Sequence, residues 1–419
     1  MRKMKDSGIE WLGMIPEDWE TERLQWHISE IKESNKPEKS RRILSLTNKR
    51  GVIPYEEKGA QGNVAKEDYT QYKLAYPGTI VANSMNILIG SVGKCDYFGC
   101  VSPVYYVFKP NNGENLEFIN YIFQTEQFQK ELRRYANGIL EIRLRVSSDG
   151  ILKRKVPFPS IYEQDQIVST IESSTSKVDA LIANVQAQIE KLKAYKQSLI
   201  TEVVTKGLDP NVPMKDSGVE WIGTIPASWK TIRVKQLLRE RKERSVNGKE
   251  EPLSMSQKVG LVPTKMLDMI PNMASSFVGA KLAYVDDLVF NKLKAHLGVF
   301  SVSKYDGLVS PDYAVYYSTG IIGLKYLEYL FKTPQCISEF RKRSTGIAAG
   351  LTRLYTDGLF AIECPMPSKD EQAEIVLFLN EKCAQIDELM SLKQTKIEKL
   401  EQYKRSLIYE YVTGKKEVS

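Results

Sequence analysis

Clusters of amide and basic side chains recur between apolar runs of this chain, and their types suit one kind of chemistry. Toward the N-terminal side they are Thr47, Asn48, Lys49 and Arg50, then Asn83 and Asn86, then Arg143 and Arg145. Further along they are Ser256, Gln257 and Lys258, then Asn291, Lys292, Lys294 and His296, then Arg353. Asn and Gln can pair bidentately with adenine and Arg or Lys with guanine, while Lys and Ser hold phosphates. Residues that would break or make covalent bonds are missing. Two histidines, His27 and His296, cannot furnish a His-rich metal site, and five scattered cysteines form no CxxC pair. Gly90-Ser91-Val92-Gly93-Lys94-Cys95 lacks the glycine spacing of a phosphate loop and any Ser or Thr after Lys94, so it reads as a turn between strands. Pro54-Tyr55-Glu56-Glu57-Lys58 reads as exposed loop, because its counterpart Pro263-Thr264-Lys265 has no acids. We expect a chain that binds and does not catalyse, with no cofactor or metal of its own.

The elements that position these clusters are written twice. Residues 4–19, MKDSGIEWLGMIPEDW, return at 214–229 as MKDSGVEWIGTIPASW, with eleven of sixteen positions identical. Residues 163–207 return at 371–415 with 19 of 45 identical. Between them Leu44–Gly51 faces Leu253–Gly260, Val101-Ser102-Pro103 faces Val309-Ser310-Pro311, and Pro157-x-Pro159 faces Pro365-x-Pro367. A period near 210 residues is too long for a solenoid. Two similar frames with diverged interiors are what two different recognition tasks require.

Each half ends in a long amphipathic pattern. Ile171, Val178, Val185, Leu192 and Leu199 step by seven, with Leu181, Ile189, Tyr195 and Val203 beside them. The second copy gives Ile375, Leu379, Ile386, Leu389, Ile397, Leu400, Leu407 and Tyr411, interrupted by Lys393, a polar residue that could fix register. Paired prolines set each helix start, and Gly207 and Gly414 its end. The interiors predict strands at 42–46, 79–82 and 104–108 and a helix over 117–135, then strands at 288–290 and 314–317 and a helix over 324–341. The fold class is α+β: two α/β domains separated by two long antiparallel helices in a pseudo-twofold repeat. Expected boundaries are 1–160 with its lead-in motif 4–19, a helix at 161–207, 208–368 with its lead-in motif 214–229, and a helix with a tail at 369–419.

Composition permits this reading. The chain has 419 residues, 42% hydrophobic and 26% charged, as in ordinary globular proteins. Its 59 basic and 52 acidic residues give +7, permissive for nucleic acid. The charged N-terminal stretch and unframed cysteines predict a cytoplasmic protein with reduced thiols and no membrane association.

The Lys-Asp-Ser-Gly-(Ile/Val)-Glu-Trp motif with its Ile-Pro-x-x-Trp ending, the Pro-x-Pro-x-x-x-Glu-Gln helix start and the Tyr-Lys-x-Ser-Leu-Ile helix end strongly resemble the specificity subunit of type I restriction–modification systems. The resemblance covers almost the whole chain. It implies that 20–160 and 230–368 are target-recognition domains, each reading half of a bipartite double-stranded DNA site. It also implies that the helices hold them apart as a ruler. Two methyltransferase subunits would dock on those helices, while Ile171, Val178, Val185, Leu192, Leu199, Ile386, Leu400 and Leu407 are the positions expected to pack one long helix against its partner helix. S-adenosylmethionine, ATP and Mg would then belong to the methyltransferase and restriction subunits.

Overall fold

The computed structural model describes residues 2–47, 50–59, 68–138, 144–257, 259–267, 276–346 and 352–418. Contacts divide the chain into two compact units, residues 1–186 with 394–419, and residues 187–393. Each unit contains one head and a portion of both long helices, Ile161–Lys206 and Lys369–Val412.

Within the first unit a four-stranded antiparallel sheet runs in the spatial order Ile28–Ile31, Tyr105–Pro110, Thr79–Asn83, Val92–Cys95. Val81, Val107, Ile80 and Phe108 are all buried, so both faces are covered. On one face the helices Leu116–Gln124 and Glu126–Arg133 bury Phe118, Ile119, Ile122, Phe123 and Phe128. The second unit repeats the order with Leu238–Glu240, Tyr313–Ser318, Leu288–Asn291 and Phe300–Val302. Its covering helices are Leu324–Phe331 and Pro334–Arg343.

Both covering segments were expected as single helices, and each is two. Thr125 and Thr333 adopt extended backbone, and each hydroxyl accepts the N–H three residues on, from Phe128 and Cys336 at 3.4 Å. A Thr cap stabilises a new helix start better than it fits a helix interior, and Pro334 cannot continue the preceding one. The segment Gly90–Cys95, expected as a turn, is a turn only as far as Gly90; Val92–Cys95 is an edge strand.

The lead-in motifs close each unit onto a helix end. Trp19 and Trp229 are buried, and their indole N–H groups donate to Glu163 and Glu371 at 3.0 Å. The next residue of each helix start is Gln164 or Gln372. Its Oε1 accepts the N–H of Asn115 or Gly323 at 3.1 and 2.7 Å, and its Nε2 donates to Pro159 or Pro367. The Glu-Gln pair of the repeated motif therefore fastens each head to its own helix. In the first unit the motif also meets the end of the second long helix. Tyr409 donates to the Trp11 carbonyl at 3.1 Å and Lys415 donates to the carbonyls of Leu12 and Met14. Gly414, at φ 68°, lies so close to Pro16 that any side chain there would clash.

The helix portions pair antiparallel inside each unit. Lys404 binds Asp179 at 2.6 Å in the first, and Lys196 binds Asp387 at 2.6 Å in the second, where Lys393 also donates to Gln188 at 2.6 Å. Lys393, expected to interrupt the apolar stripe, thus meets a polar partner.

Candidate nucleic-acid interface

The central strands of each sheet lead into the clusters singled out above. Asn83 pairs across the sheet with Tyr105, and Asn291 with Tyr313. At the strand end the Asn83 Oδ1 accepts the Met85 N–H at 3.0 Å, and the Asn291 Oδ1 accepts those of Leu293 and Lys294 at 3.1 and 3.2 Å. Asn is suited to this because its short amide folds back on its own backbone. Each turn then closes through a short 3₁₀ segment, Ile87–Ile89 or Ala295–Leu297, onto a left-handed glycine, Gly90 or Gly298. Both asparagines spend their carbonyl oxygen on the frame, and Asn83 is buried.

The other positions of the same turn differ between the heads. Asn86 stands where Lys294 stands, Ser84 where Lys292 stands, and Leu88 where His296 stands. Asn86 and Lys294 are both exposed. The half-buried His296 has no partner for Nδ1 among the described residues.

Two further loops abut this turn. The strand carrying Arg145 joins it through the Val146 N–H, which donates to the Ser84 carbonyl at 3.3 Å. The Leu354 N–H does the same to the Lys292 carbonyl at 3.0 Å, placing Arg353. Arg145 is exposed, 3.5 Å from the Met85 sulfur, whereas Arg353 lies 3.6 Å from Asp312. The hairpin tips complete the face. Gln257 donates to the Leu297 carbonyl at 3.1 Å. In the first head the Thr47 hydroxyl accepts the Arg50 N–H at 3.1 Å, and Arg50 pairs with Glu57. Ser256 closes the strand opposite Gly260. Asn48, Lys49, Arg143 and Lys258 lie outside the described residues.

Two residues that sequence reasoning passed over belong here. Lys73 donates to the Tyr105 carbonyl at 2.7 Å and Lys281 to the Tyr313 carbonyl at 2.6 Å. Their signal was present in the tetrapeptide Lys-Leu-Ala-Tyr, which occurs at 73–76 and again at 281–284. Burial, and then the neighbouring Lys292, hold the Lys281 ammonium below its usual range.

A family model described as the type I restriction modification DNA specificity domain matches residues 16–191, the first head and the start of the first long helix. The first head and the start of the first long helix therefore resemble a type I restriction modification DNA specificity domain. The second head repeats the four-stranded sheet of the first in the same order, while the pairing of Ala136–Asn137 with Arg145–Val146 is reduced to a single bridge between Thr345 and Arg353. The chain is 23% identical over 439 residues to the putative type I restriction enzyme MjaX specificity subunit of Methanocaldococcus jannaschii, covering 96% of this chain and 95% of the relative. It is 24% identical over 279 residues to the MjaVIII specificity subunit of the same organism, covering 62% of each. Its fold matches a chain in a structure concerned with complex assembly and conformational transition of the type I R-M system, with TM-score 0.69 and 13% identity over 95% of this chain and 98% of that one. It also matches the HsdS subunit from Thermoanaerobacter tengcongensis, with TM-score 0.52 and 14% identity over 96% and 98%.

The long helices carry the expected apolar seam only in part. Ile171, Val178, Val185, Ile189, Val203, Ile386 and Leu407 are buried, and Leu192, Leu199 and Leu400 half-buried. Leu181, Tyr195 and Leu389, expected in the neighbouring stripe, are 50%, 58% and 42% exposed. A two-helix seam buries one narrow stripe per helix, and these three lie beside it. Among the described residues no helix is long and apolar enough to cross a membrane, and the five cysteines are buried and unpaired.

Proposed function

We propose that each head reads one half of a bipartite double-stranded DNA site, that residues 1–160 and 208–368 are the two recognition domains, and that the long helices set the spacing between the half-sites. The observation that carries this is the pair of homologous turns. The framing Asn is retained as Asn83 and Asn291, while its neighbours change from the buried Ser84, the exposed Asn86 and the half-buried Leu88 to the half-buried Lys292, the exposed Lys294 and the half-buried His296. An amide at one position and an ammonium at its counterpart favour different bases, adenine against guanine. Thr47, Arg50 and Arg145, with Gln257 and Arg353, border those turns and complete each reading face.

The helices also dock two copies of a methyltransferase subunit, which supply S-adenosylmethionine and adenine methylation, and restriction subunits add ATP-driven cleavage with Mg. The exposed apolar positions support this: Leu181 and Tyr403 in the first unit correspond in the repeat to Leu389 and Tyr195 in the second, and all four face solvent. An apolar patch repeated with the repeat suits one partner used twice. Such an assembly acts on DNA in the cytoplasm. The test replaces residues 230–368 with the matching segment of another specificity subunit and maps methylated adenines across the host genome. One half of the methylated motif changes and the other stays. A change in both halves, or in neither, overturns the modular reading.

A further inference from the structure

Four residue types recur at one spacing in heads whose exposed loops have diverged. Lys73, Asn83, Tyr105 and Arg145 of the first head become Lys281, Asn291, Tyr313 and Arg353 of the second. The geometry recurs with them. The lysine donates to the tyrosine carbonyl at 2.7 or 2.6 Å, and the tyrosine pairs across the sheet with the asparagine. The turn that follows the asparagine hydrogen-bonds to the strand carrying the arginine. Around this quartet the positions that could read bases differ, as shown above.

A feature retained where the readers change serves something that both half-sites share. Two unlike half-sites of duplex DNA share no bases, but they share the sugar–phosphate backbone. The retained cationic groups, an ammonium and a guanidinium, are anion donors. We propose that Lys73 with Arg145, and Lys281 with Arg353, hold backbone phosphates of the duplex, while the Asn–Tyr pair holds the two cations at the edge of the reading turn. This rests on the DNA-reading function above and names a contact within it.

The surroundings of Lys281 suit an anion. Among the described residues Lys281 has no carboxylate within 4.0 Å, although it is half-buried. Burial and Lys292 both disfavour its charge. A lysine kept only to cap a carbonyl would not need that penalty, since neutral donors do the same. The first head is softer: Glu30 lies 3.4 Å from Lys73, and no counterpart of Lys292 is present because Ser84 stands there. The second head therefore holds its phosphate more tightly.

The test uses the full chain assembled with its methyltransferase subunits and measures affinity for a cognate and a scrambled duplex across salt concentrations. Lys73→Gln and Lys281→Gln each lower the logarithmic salt slope by about 0.9, as loss of one phosphate contact does. Each weakens both duplexes by the same factor, the larger loss falling on Lys281→Gln, and leaves the methylated motif unchanged. Lys73→Arg and Lys281→Arg restore the slope. An unchanged slope in both glutamine variants overturns the proposal, as does a changed motif, which would make these lysines base readers. Failure of the arginine variants to rescue assigns the lysines to folding and overturns it too. Lysine-dependent competition by inorganic phosphate at constant ionic strength overturns the duplex as the source of the anion. A wild-type complex that binds both duplexes equally overturns instead the parent reading.

Discussion

In the first head His27 lies between two carboxylates, with Nδ1 3.0 Å from Glu114 and Nε2 2.7 Å from Glu22, and its ring stacks on Phe158 at 3.4 Å. Both ring nitrogens thus face a carboxylate, and the set is polar on both sides of the ring. In the second head the same three positions hold Leu237, Ile322 and Ile232, and Met366 stands for Phe158. The exchange runs the other way one strand along. Arg241 makes two bonds to the buried Asp287, at 2.7 and 2.9 Å, and its guanidinium lies over Tyr284 and Tyr317. The first head has Ile31 and Thr79 at those places. One frame thus accepts either a charged set or an apolar set at a site, but it changes the members together. That is the behaviour of buried ion pairs generally, which cost little to replace whole and much to break.

The comparison breaks most visibly if its members are changed singly. Glu114→Leu leaves the His27 Nδ1 without its partner and should destabilise the first unit by about 3 kcal/mol, whereas the triple His27→Leu, Glu22→Ile, Glu114→Ile should recover most of that loss. Chemical denaturation monitored separately in each unit decides it. A triple variant no better than the single one would show that the packing around the set, and not its charge, is specific.

Acid sharpens the same contrast. Burial alone would raise Glu114, but the Asn112 N–H, its own backbone N–H and then His27 outweigh it and hold the carboxyl below its ordinary range. Its folded value lies under its unfolded one, so its contribution is complete above the ordinary carboxylate range and disappears as pH falls through and below that range. Hydrogen-exchange protection factors at 28–31 and 116–124, taken relative to the intrinsic rate at each pH, should therefore fall in acid in the wild type. The triple variant should lose that part of the acid response in the first unit. The second unit should keep its own, which comes from groups such as Glu328, where Lys332 and Lys325 outweigh burial.

The smallest difference concerns the tryptophan anchors. Glu163 receives Trp19 and also Arg2, while Glu371 receives Trp229 and the backbone N–H of Ser368. Trp229→Phe removes one of two bonds to an acid without a paired cation. It should cost about 1–2 kcal/mol, and Trp19→Phe less, because Arg2 remains. Equal losses in the two thermal melts would mean that Arg2 contributes nothing.

The frame was legible in the sequence because repetition exposes what a fold requires. The Glu-Gln pair, the terminal glycines and the paired prolines recur, and each makes the same contact twice. The reading face was legible only as loops: Asn83 and Asn86 look alike in sequence, and only the sheet register shows that one caps the turn while the other faces out. Heptad stepping could not tell Leu181, Tyr195 and Leu389 from seam residues, because a stripe's width depends on how many helices cover it. The helix breaks at Thr125 and Thr333 escaped because apolar spacing continues through them, and a cap shows itself only in one residue's backbone. Lys73 and Lys281 escaped because they sit in strands and not in polar loops.

The first unit is assembled from segments far apart in the chain, since Leu407, Ile408, Tyr411 and Val412 complete the core that Trp11, Leu12, Ile15 and Ile171 begin. The second unit, residues 187–393, is continuous. On the ribosome the order of completion is therefore inverted: the second head can close while the first still lacks part of its own wall. At about 5–20 residues per second, the first head waits roughly 10–40 s for the helix end that covers its tryptophans. During that interval its open apolar surface is a substrate for chaperones.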